Sequence, residues 1–390
     1  MLKIYSDFLF NEFGEIERNA GILISDTGEI VGILKEGQFN TKDFFYYPGL
    51  LTPGFVNAHC HLELSHMKGK VNTGTGLIPF LKSVVSFRNV DQNIIDEAII
   101  KADQEMFLNG IVAVGDISNK TDTLAVKNKS KIQYYNFIEF FDFMEDNMTD
   151  QFFEQYHSVY ETFGTLRKSM VPHASYSVSK NLFKKIIASN SGLVVSIHNQ
   201  EIIDEDELFN TFGGKFPEFF RSFGFSFSTF EPLGKSAIHY AIQQMVSSLN
   251  TLFVHNTFSS KNDFTAALEW NQNSFFVTCP NANLYIENRL PNYEMWKSFS
   301  KNICIGTDSL CSNWSLDILS EIRTILKYKS YLDLKEILSW ATINGARALR
   351  LDDALGSITI GKNPGINWIQ DVKFQESLQL GENAKVKKLV

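Results

Sequence analysis

Residues 50–61 read LLTPGFVNAHCH, an apolar run broken by Pro53-Gly54 that ends in two histidines one residue apart. A chain with only eight histidines places His59 and His61 almost side by side. The same phrase, a short β-branched or aromatic run ending in polar or ionisable residues and followed by a helix-length segment, recurs along the chain. It returns as NGIVAVGDIS (109–118), IQYYNFIEF (132–140), SMVPHASYS (169–177), GLVVSIHNQE (192–201), NTLFVHNT (250–257), SFFVTCPNAN (274–283) and NICIGTDS (302–309). Continuous apolar strands alternating with helical segments indicate a parallel sheet covered on both faces. Eight of them predict an α/β fold, a closed (β/α)8 TIM barrel, whose chemistry belongs at the C-terminal ends of the strands. His59, His61, His173, His198, His255 and Asp308 all stand at such ends.

Outside the barrel, ILISDTGEIVGILKEGQ reads as an antiparallel hairpin with Thr27-Gly28 at its tip, and the tail phrase LGSITIGKNPGINWIQD reads likewise. Two short β-rich ends are marginal alone. They are expected to form one small β-sandwich domain from residues 1–50 and 352–390, leaving 51–351 to the barrel. The Phe- and Gly-rich stretch 209–236, after the fifth strand, is long enough for a lid or pocket wall suited to a flat apolar ligand, or else for an excursion packed on the barrel.

The chain has 390 residues and net charge −8, with Lys and Arg scattered rather than clustered. That argues against nucleic acid and anionic lipid and for a small-molecule partner. No stretch of about 18 apolar residues could span a bilayer. The N-terminus lacks the basic start and apolar middle of a secretory signal. Cys60, Cys279, Cys304 and Cys311 show no metal-type spacing and are too few for a disulfide framework, which points to a cytoplasmic protein. A homo-oligomer is compatible with the sequence and not required by it.

Alternate residues of a strand point the same way, so His59 and His61 project together while Cys60 faces the helices. Alone, such a pair is half a metal site or two ordinary polar residues. Barrel closure would bring them to His198, His255 and Asp308, each ending its own strand. Neutral imidazoles with a carboxylate suit one Zn²⁺, or in second place Fe²⁺, with a position left for water. A bound divalent ion lowers the pKa of that water to about 7, so the chemistry is hydrolytic. Glu201, three residues beyond His198, is the candidate proton shuttle, its alternative being an exposed acid in the run EIIDEDE.

PGFVNAHCHLE, IHNQE, VHNT, CPNANL and GTDSLCSNWSLDILSEIR resemble the motifs of the metal-dependent amidohydrolase superfamily, in its deaminase and chlorohydrolase branch. The resemblance spans nearly the whole chain and implies a barrel with a small β-domain from both termini. It implies one metal held by His59, His61, His198 and Asp308, with His255 orienting the attacking water and Asp308 accepting its proton. Glu201 would deliver a proton to the ring nitrogen beside the amino-bearing carbon, and ammonia would leave. Two-metal relatives carry a modified lysine at the end of strand four, where SMVPHASYS has none.

HLELS and HASYSVS are similar to deaminases of adenine-containing nucleosides, among them aminodeoxyfutalosine and S-adenosylhomocysteine deaminases. On that likeness Glu63, His173 and Asn283 would face the substrate. Ser175, Ala282 and Gln200 depart from the usual residues and leave the exact substrate open. Glu63 could instead orient a metal-ligating histidine, His173 could be a structural hydrogen-bonder, and Asn281 and Asn283 could be turn residues after Pro280. Arg221, Arg289 and Arg323 stay open as contacts for a substrate carboxylate. The expected activity is ammonia release from an amino-substituted heterocycle. The alternatives are hydrolysis of an amide or carbon–chlorine bond on the same site, or a non-catalytic barrel scaffold.

Overall fold

The computed structural model describes residues 1–227 and 230–390. Residues 228 and 229, inside the Phe-rich stretch 209–236, lie outside the described residues. The eight runs form parallel strands: β1 (Phe55–Cys60), β2 (Ile111–Ser118), β3 (Gln133–Phe140), β4 (Lys168–Pro172), β5 (Val194–Asn199), β6 (Asn250–His255), β7 (Ser274–Thr278) and β8 (Ile303–Ile305). They pair in sequence order within two four-stranded sheets, β1 to β4 and β5 to β8. Isolated parallel bridges join the sheets at both seams, Cys60 with Asp308 and Ala174 with His198. Backbone N–H groups of Thr307 and Asp308 donate to His59 O at 3.0 and 3.1 Å, and that of His198 donates to His173 O at 2.9 Å. The (β/α)8 barrel therefore closes at the residues that carry its ionisable side chains.

Alternation along the strands separates two apolar clusters. Val56, Ala58, Phe137, Val171, Leu252 and Val277 share one, which fills the barrel. Phe55, Ile138, Met170, Phe253, Phe276 and Ile303 belong to the other, with the surrounding helices. Burial on both faces is why the strands read as unbroken apolar runs. The β1–β8 seam also depends on Gly306, where an added Cβ would lie 2.9 Å from both Cβ and O of His59.

Both ends of the chain enter one seven-stranded sheet, in the order Val386–Lys388, Ile366–Ile369, Phe45–Pro53, Leu2–Phe10, Gly21–Ile24, Ile30–Leu34, with Ile16–Arg18 beside Leu2–Phe10. Ile4, Leu9, Ile22, Leu51 and Ile366 form its own core. A separate hairpin, Val372–Phe374 with Leu378–Leu380, leans on it through Phe374, whose ring stacks on Phe8 at 5.7 Å. Gly28, at φ +88°, turns the N-terminal hairpin. The tail phrase does not make a hairpin of its own. Its first half runs beside Ile30 through the bonds Ile30 N–H to Lys362 O and Gly361 N–H to Ile30 O. Its second half, Ile366–Ile369, pairs antiparallel with Phe45–Pro53. Apolar alternation marks a strand there, but the partner comes from the other end of the chain, beyond the reach of any local turn signal. All four cysteines are free and buried, and among the described residues no helix is long and apolar enough to cross a membrane.

Candidate active site

Two local irregularities aim the histidines. Asn57 pairs with Val114 while Cys60 pairs with Asp116, so β1 carries one extra residue against β2. Such a bulge re-aims the side chains beyond it, here His59 and His61. At the end of β6, His255 sits at φ +73° and Asn256 at φ +51°, and Asp308 at φ +56° comes just after β8. Left-handed backbone is costly for non-glycine residues and collects at functional sites. The Asn256 Nδ2 stabilises its turn by donating to Phe253 O at 2.7 Å.

These tips converge. The Nε2 of His61 lies 3.1 Å from that of His59 and 3.3 Å from that of His198. Asp308 Oδ1 is 3.3 Å from His61 Nε2 and 3.5 Å from His59 Nε2, while Ser312 Oγ donates to Asp308 Oδ2 at 2.5 Å. Donor atoms of His59, His61 and His198 lie within 4.8 Å of one another, as do those of His59, His255 and Asp308. Zn–N bonds of about 2.1 Å in a tetrahedron put neighbouring ligand atoms roughly 3.4 Å apart. The observed separations fit one small divalent cation.

The electrostatics agree with that donor set. Burial pushes His59, His61 and His255 down to about 4, so each is neutral at pH 7. Burial would raise Asp308, but the hydrogen bond from His59 and the nearby imidazoles of His61 and His255 hold it well below the usual range. His198 differs: burial lowers it, but the Glu139 carboxylate outweighs that and lifts it to about 9. A carboxylate on the far nitrogen of a ligating imidazole raises its basicity toward a cation as well as toward a proton.

Glu201 is buried and not the exposed acid of a solvated run. Its Oε2 lies 3.7 Å from His255 Nε2. Burial first, and then the Asp308 charge, raise its carboxyl to about 8. Its backbone is pinned by Glu205, whose Oε1 and Oε2 accept the N–H groups of Glu201 and Gln200 at 2.7 and 2.9 Å. A protonated carboxylic acid at neutral pH is thus held beside a neutral imidazole.

A cavity of about 220 Å³ opens on this cluster. His61, His198, Glu201, His255 and Asp308 line its polar end, and Leu81, Val84, Phe141, Phe143, Phe219 and Phe220 stand among its apolar wall. The wall draws on the helix Leu77–Phe87 and the helix Phe216–Arg221. The described part of the Phe-rich stretch therefore supplies pocket wall.

A family model for the amidohydrolase family matches residues 50–389. The chain belongs to the amidohydrolase family. It is 28% identical to an adenosine deaminase of Helicobacter pylori over 378 residues, covering 92% of this chain and 89% of that protein. It is 29% identical to an aminodeoxyfutalosine deaminase of Nitratiruptor sp. over 331 residues, covering 82% and 78%. Its fold resembles the crystal structure of Helicobacter pylori aminofutalosine deaminase in complex with methylthio-coformycin, with TM-score 0.77, 24% identity and coverage of 97% and 94%.

Within this amidohydrolase, Glu63 and His173 line the cavity. Glu63 Oε2 accepts the N–H groups of Asn119 and Lys120 at 2.9 and 3.1 Å. Burial raises its carboxyl to about 7 against the opposing pull of Arg88 and those amides. His173 Nδ1 lies 2.7 Å from Ser177 Oγ, and burial lowers it to about 4. Asn283 is not on the cavity wall. Its Oδ1 meets His255 Nδ1 at 3.0 Å from the helix Pro280–Glu287. The helix points Asn283 back at the end of β6, and it orients His255 instead. Arg221, Arg289 and Arg323 also lie off the wall: Arg221 bonds Pro217 O, Arg289 sits over the Phe258 ring, and Arg323 bonds Ala384 O.

Three polar residues escape the sequence reading. Glu139, at the end of β3, lies 3.3 Å from His198 Nδ1 and lines the cavity. Asp116, on β2, accepts the Leu62 N–H at 2.8 Å and forms a fully buried pair with Lys127 at 2.5 Å, fixing the chain just after His61. The endings IEF and GDIS carry the same tip-of-strand signal as the histidines. Arg88, just past the helix Leu77–Phe87, has no such signal.

Proposed function

We propose that this amidohydrolase is an aminohydrolase that releases ammonia from the adenine ring of a nucleoside or a closely related purine. The observation that carries the proposal is Glu201, a buried acid on the cavity wall whose Oε2 lies 3.7 Å from His255 Nε2 beside the imidazole cluster. The names of relatives that match over most of both chains support the same reading. His59, His61, His198 and Asp308 would hold one divalent cation, Zn²⁺ ahead of Fe²⁺, and that cation supplies water of lowered pKa. Asp308, ionised and with Oδ1 facing the cluster, takes up a proton from the attacking water. His255, whose Nδ1–H is held by Asn283 Oδ1, presents Nε2 to accept a hydrogen bond from that water and steer it, and once protonated there it would stabilise charge on the adduct. Glu201 donates its proton to the ring nitrogen next to the amino-bearing carbon, which opens that carbon to attack, and the proton taken up by Asp308 then passes to the amino group, which leaves as ammonia. Glu63 and His173 face the rest of the substrate. Protein donors set in a water-poor cavity need little reorganisation as charge develops.

We assign residues 51–351 to the hydrolase barrel and residues 1–50 with 352–390 to a small β unit. A reducing cytoplasm suits four unpaired thiols. The test is ammonia release from a panel of aminopurine nucleosides and bases. Release from at least one adenine-type member is expected, and silence across the panel from metal-replete protein would contradict the proposal.

A further inference from the structure

Glu201 and His255 face each other at 3.7 Å from the tips of two different strands, β5 and β6. The residue that joins those tips is Gln200. It is fully buried, and its backbone sits at φ +46°, a left-handed conformation that a residue with a Cβ holds only where its surroundings over-determine it. Here they engage every polar atom it has. Its N–H donates to Glu205 Oε2 at 2.9 Å, and its O accepts the Phe258 N–H at 3.0 Å. Its side-chain Nε2 donates to both carboxylate oxygens of Asp206, each at 3.1 Å, and to Asp263 Oδ2 at 3.3 Å. Its Oε1 accepts from Asn199 Nδ2 at 3.0 Å and from Ser259 Oγ at 2.7 Å.

These partners lie on both sides of the Glu201–His255 pair. Glu205 and Asp206 belong to the helix Ile203–Thr211, and Glu205 also holds the Glu201 N–H. Phe258 and Ser259 follow β6, while Asn199 Nδ2 also donates to Asn256 Oδ1 at 3.0 Å, one residue beyond His255. Asp263 closes the capping box of the helix Lys261–Trp270, and Asp206 accepts the Ala237 N–H at 2.8 Å. Both the length and the chemistry of the glutamine are used. Asn would be one methylene short, Ala would leave Asp206 and Asp263 without the donor they share, and Glu would set a third acid against them.

We infer, on the aminohydrolase reading above, that Gln200 is a positioning residue: its amide ties the end of β5 to the end of β6 and so fixes Glu201 against His255. Gln200 is not on the cavity wall, so it acts through its neighbours. His198, two residues earlier, is held separately, since His173 O accepts both its backbone N–H and its Nδ1–H at 2.9 Å. Loosening Gln200 should therefore move the acid and leave the ligand cluster in place. A misplacement of about 1 Å at a reacting group costs on the order of 10²-fold in rate.

The experiment measures kcat, KM and bound metal for ammonia release from an adenine-type nucleoside, in Gln200→Ala and Gln200→Glu and in each of these combined with Glu201→Gln. Both single variants are expected to lose roughly 10²-fold in kcat, with KM within about threefold of wild type and the cation retained. On the Glu201→Gln background the same changes should cost less than about threefold further, because the group they misplace no longer carries the proton. A loss of equal size on both backgrounds, an unchanged kcat, or loss of the cation each overturns the inference. If neither Gln200 variant folds, Ser259→Ala removes one bond to Oε1 and carries the test. A several-fold fall in kcat is then expected only where Glu201 is intact, and no fall, or an equal one on both backgrounds, overturns it. Should no nucleoside release ammonia from the wild-type chain, the aminohydrolase reading fails on that result alone. Positioning is then read from crystal structures of wild type and Gln200→Ala, where the separation of Glu201 Oε2 and His255 Nε2 is expected to grow by about 1 Å or more. An unchanged separation overturns it.

Discussion

The two ends of the cavity are built on opposite principles. The polar end is made of side chains on barrel strands, held by a bulge, by three left-handed residues and by the seam bonds of a closed sheet. The apolar end draws on two helices that reach over the barrel mouth and touch it through rings and aliphatic chains. Strand tips give positions fixed to a fraction of an ångström, which ligation and proton transfer need. Helices laid across the mouth give surface, which selects by area and sign of charge and tolerates change. Chemistry should therefore be brittle to substitution at one end and graded at the other.

The sharpest way to break this contrast is His198→Ala, which removes an imidazole that stands both at the β4–β5 seam and in the ligand cluster. Loss of bound metal and of measurable turnover is expected, by metal analysis and ammonia assay on one preparation. Next comes Glu201→Gln, an isosteric change at a buried acid. A fall of about 10²- to 10⁴-fold in kcat with metal retained is expected; loss of metal instead would mean that Glu201 is a ligand. Glu139→Gln removes the carboxylate charge 3.3 Å from His198 Nδ1, whose hydrogen bond goes to His173 O at 2.9 Å, and should cost roughly 10- to 100-fold in metal affinity, read by competition with a chromogenic chelator. Phe219→Ala, at the apolar end, should cost only a few-fold in kcat/KM. An effect there as large as that of Glu201→Gln would erase the distinction.

Legibility in the sequence divides along the same line. Every barrel strand announces itself, because burial on two faces leaves an unbroken apolar run, and His59, His61, His198, His255 and Asp308 stand out as ionisable groups ending such runs. Glu139 and Asp116 carry the same mark, yet a lone acid at a strand end looks like any solvated carboxylate until its neighbours are known. Asn283 faces His255 because of the phase of a short helix that begins at Pro280, and phase over so few residues is not resolved by pattern. The helix Leu77–Phe87 looks like any amphipathic barrel helix; that it leans over the mouth depends on Glu287 and Arg88, far apart in sequence. The tail strand is visible as a strand, but its partner, Phe45–Pro53, is not.

The most direct test of the account is metal stoichiometry measured alongside ammonia release from an adenine-type nucleoside, in the wild-type chain, Glu201→Gln and His198→Ala. One divalent cation per chain is expected in the first two and none in the third, with turnover only in the first. A wild-type chain that holds no cation after reconstitution yet releases ammonia, or a His198→Ala chain that keeps both metal and turnover, would contradict the convergence of strand tips on one ion.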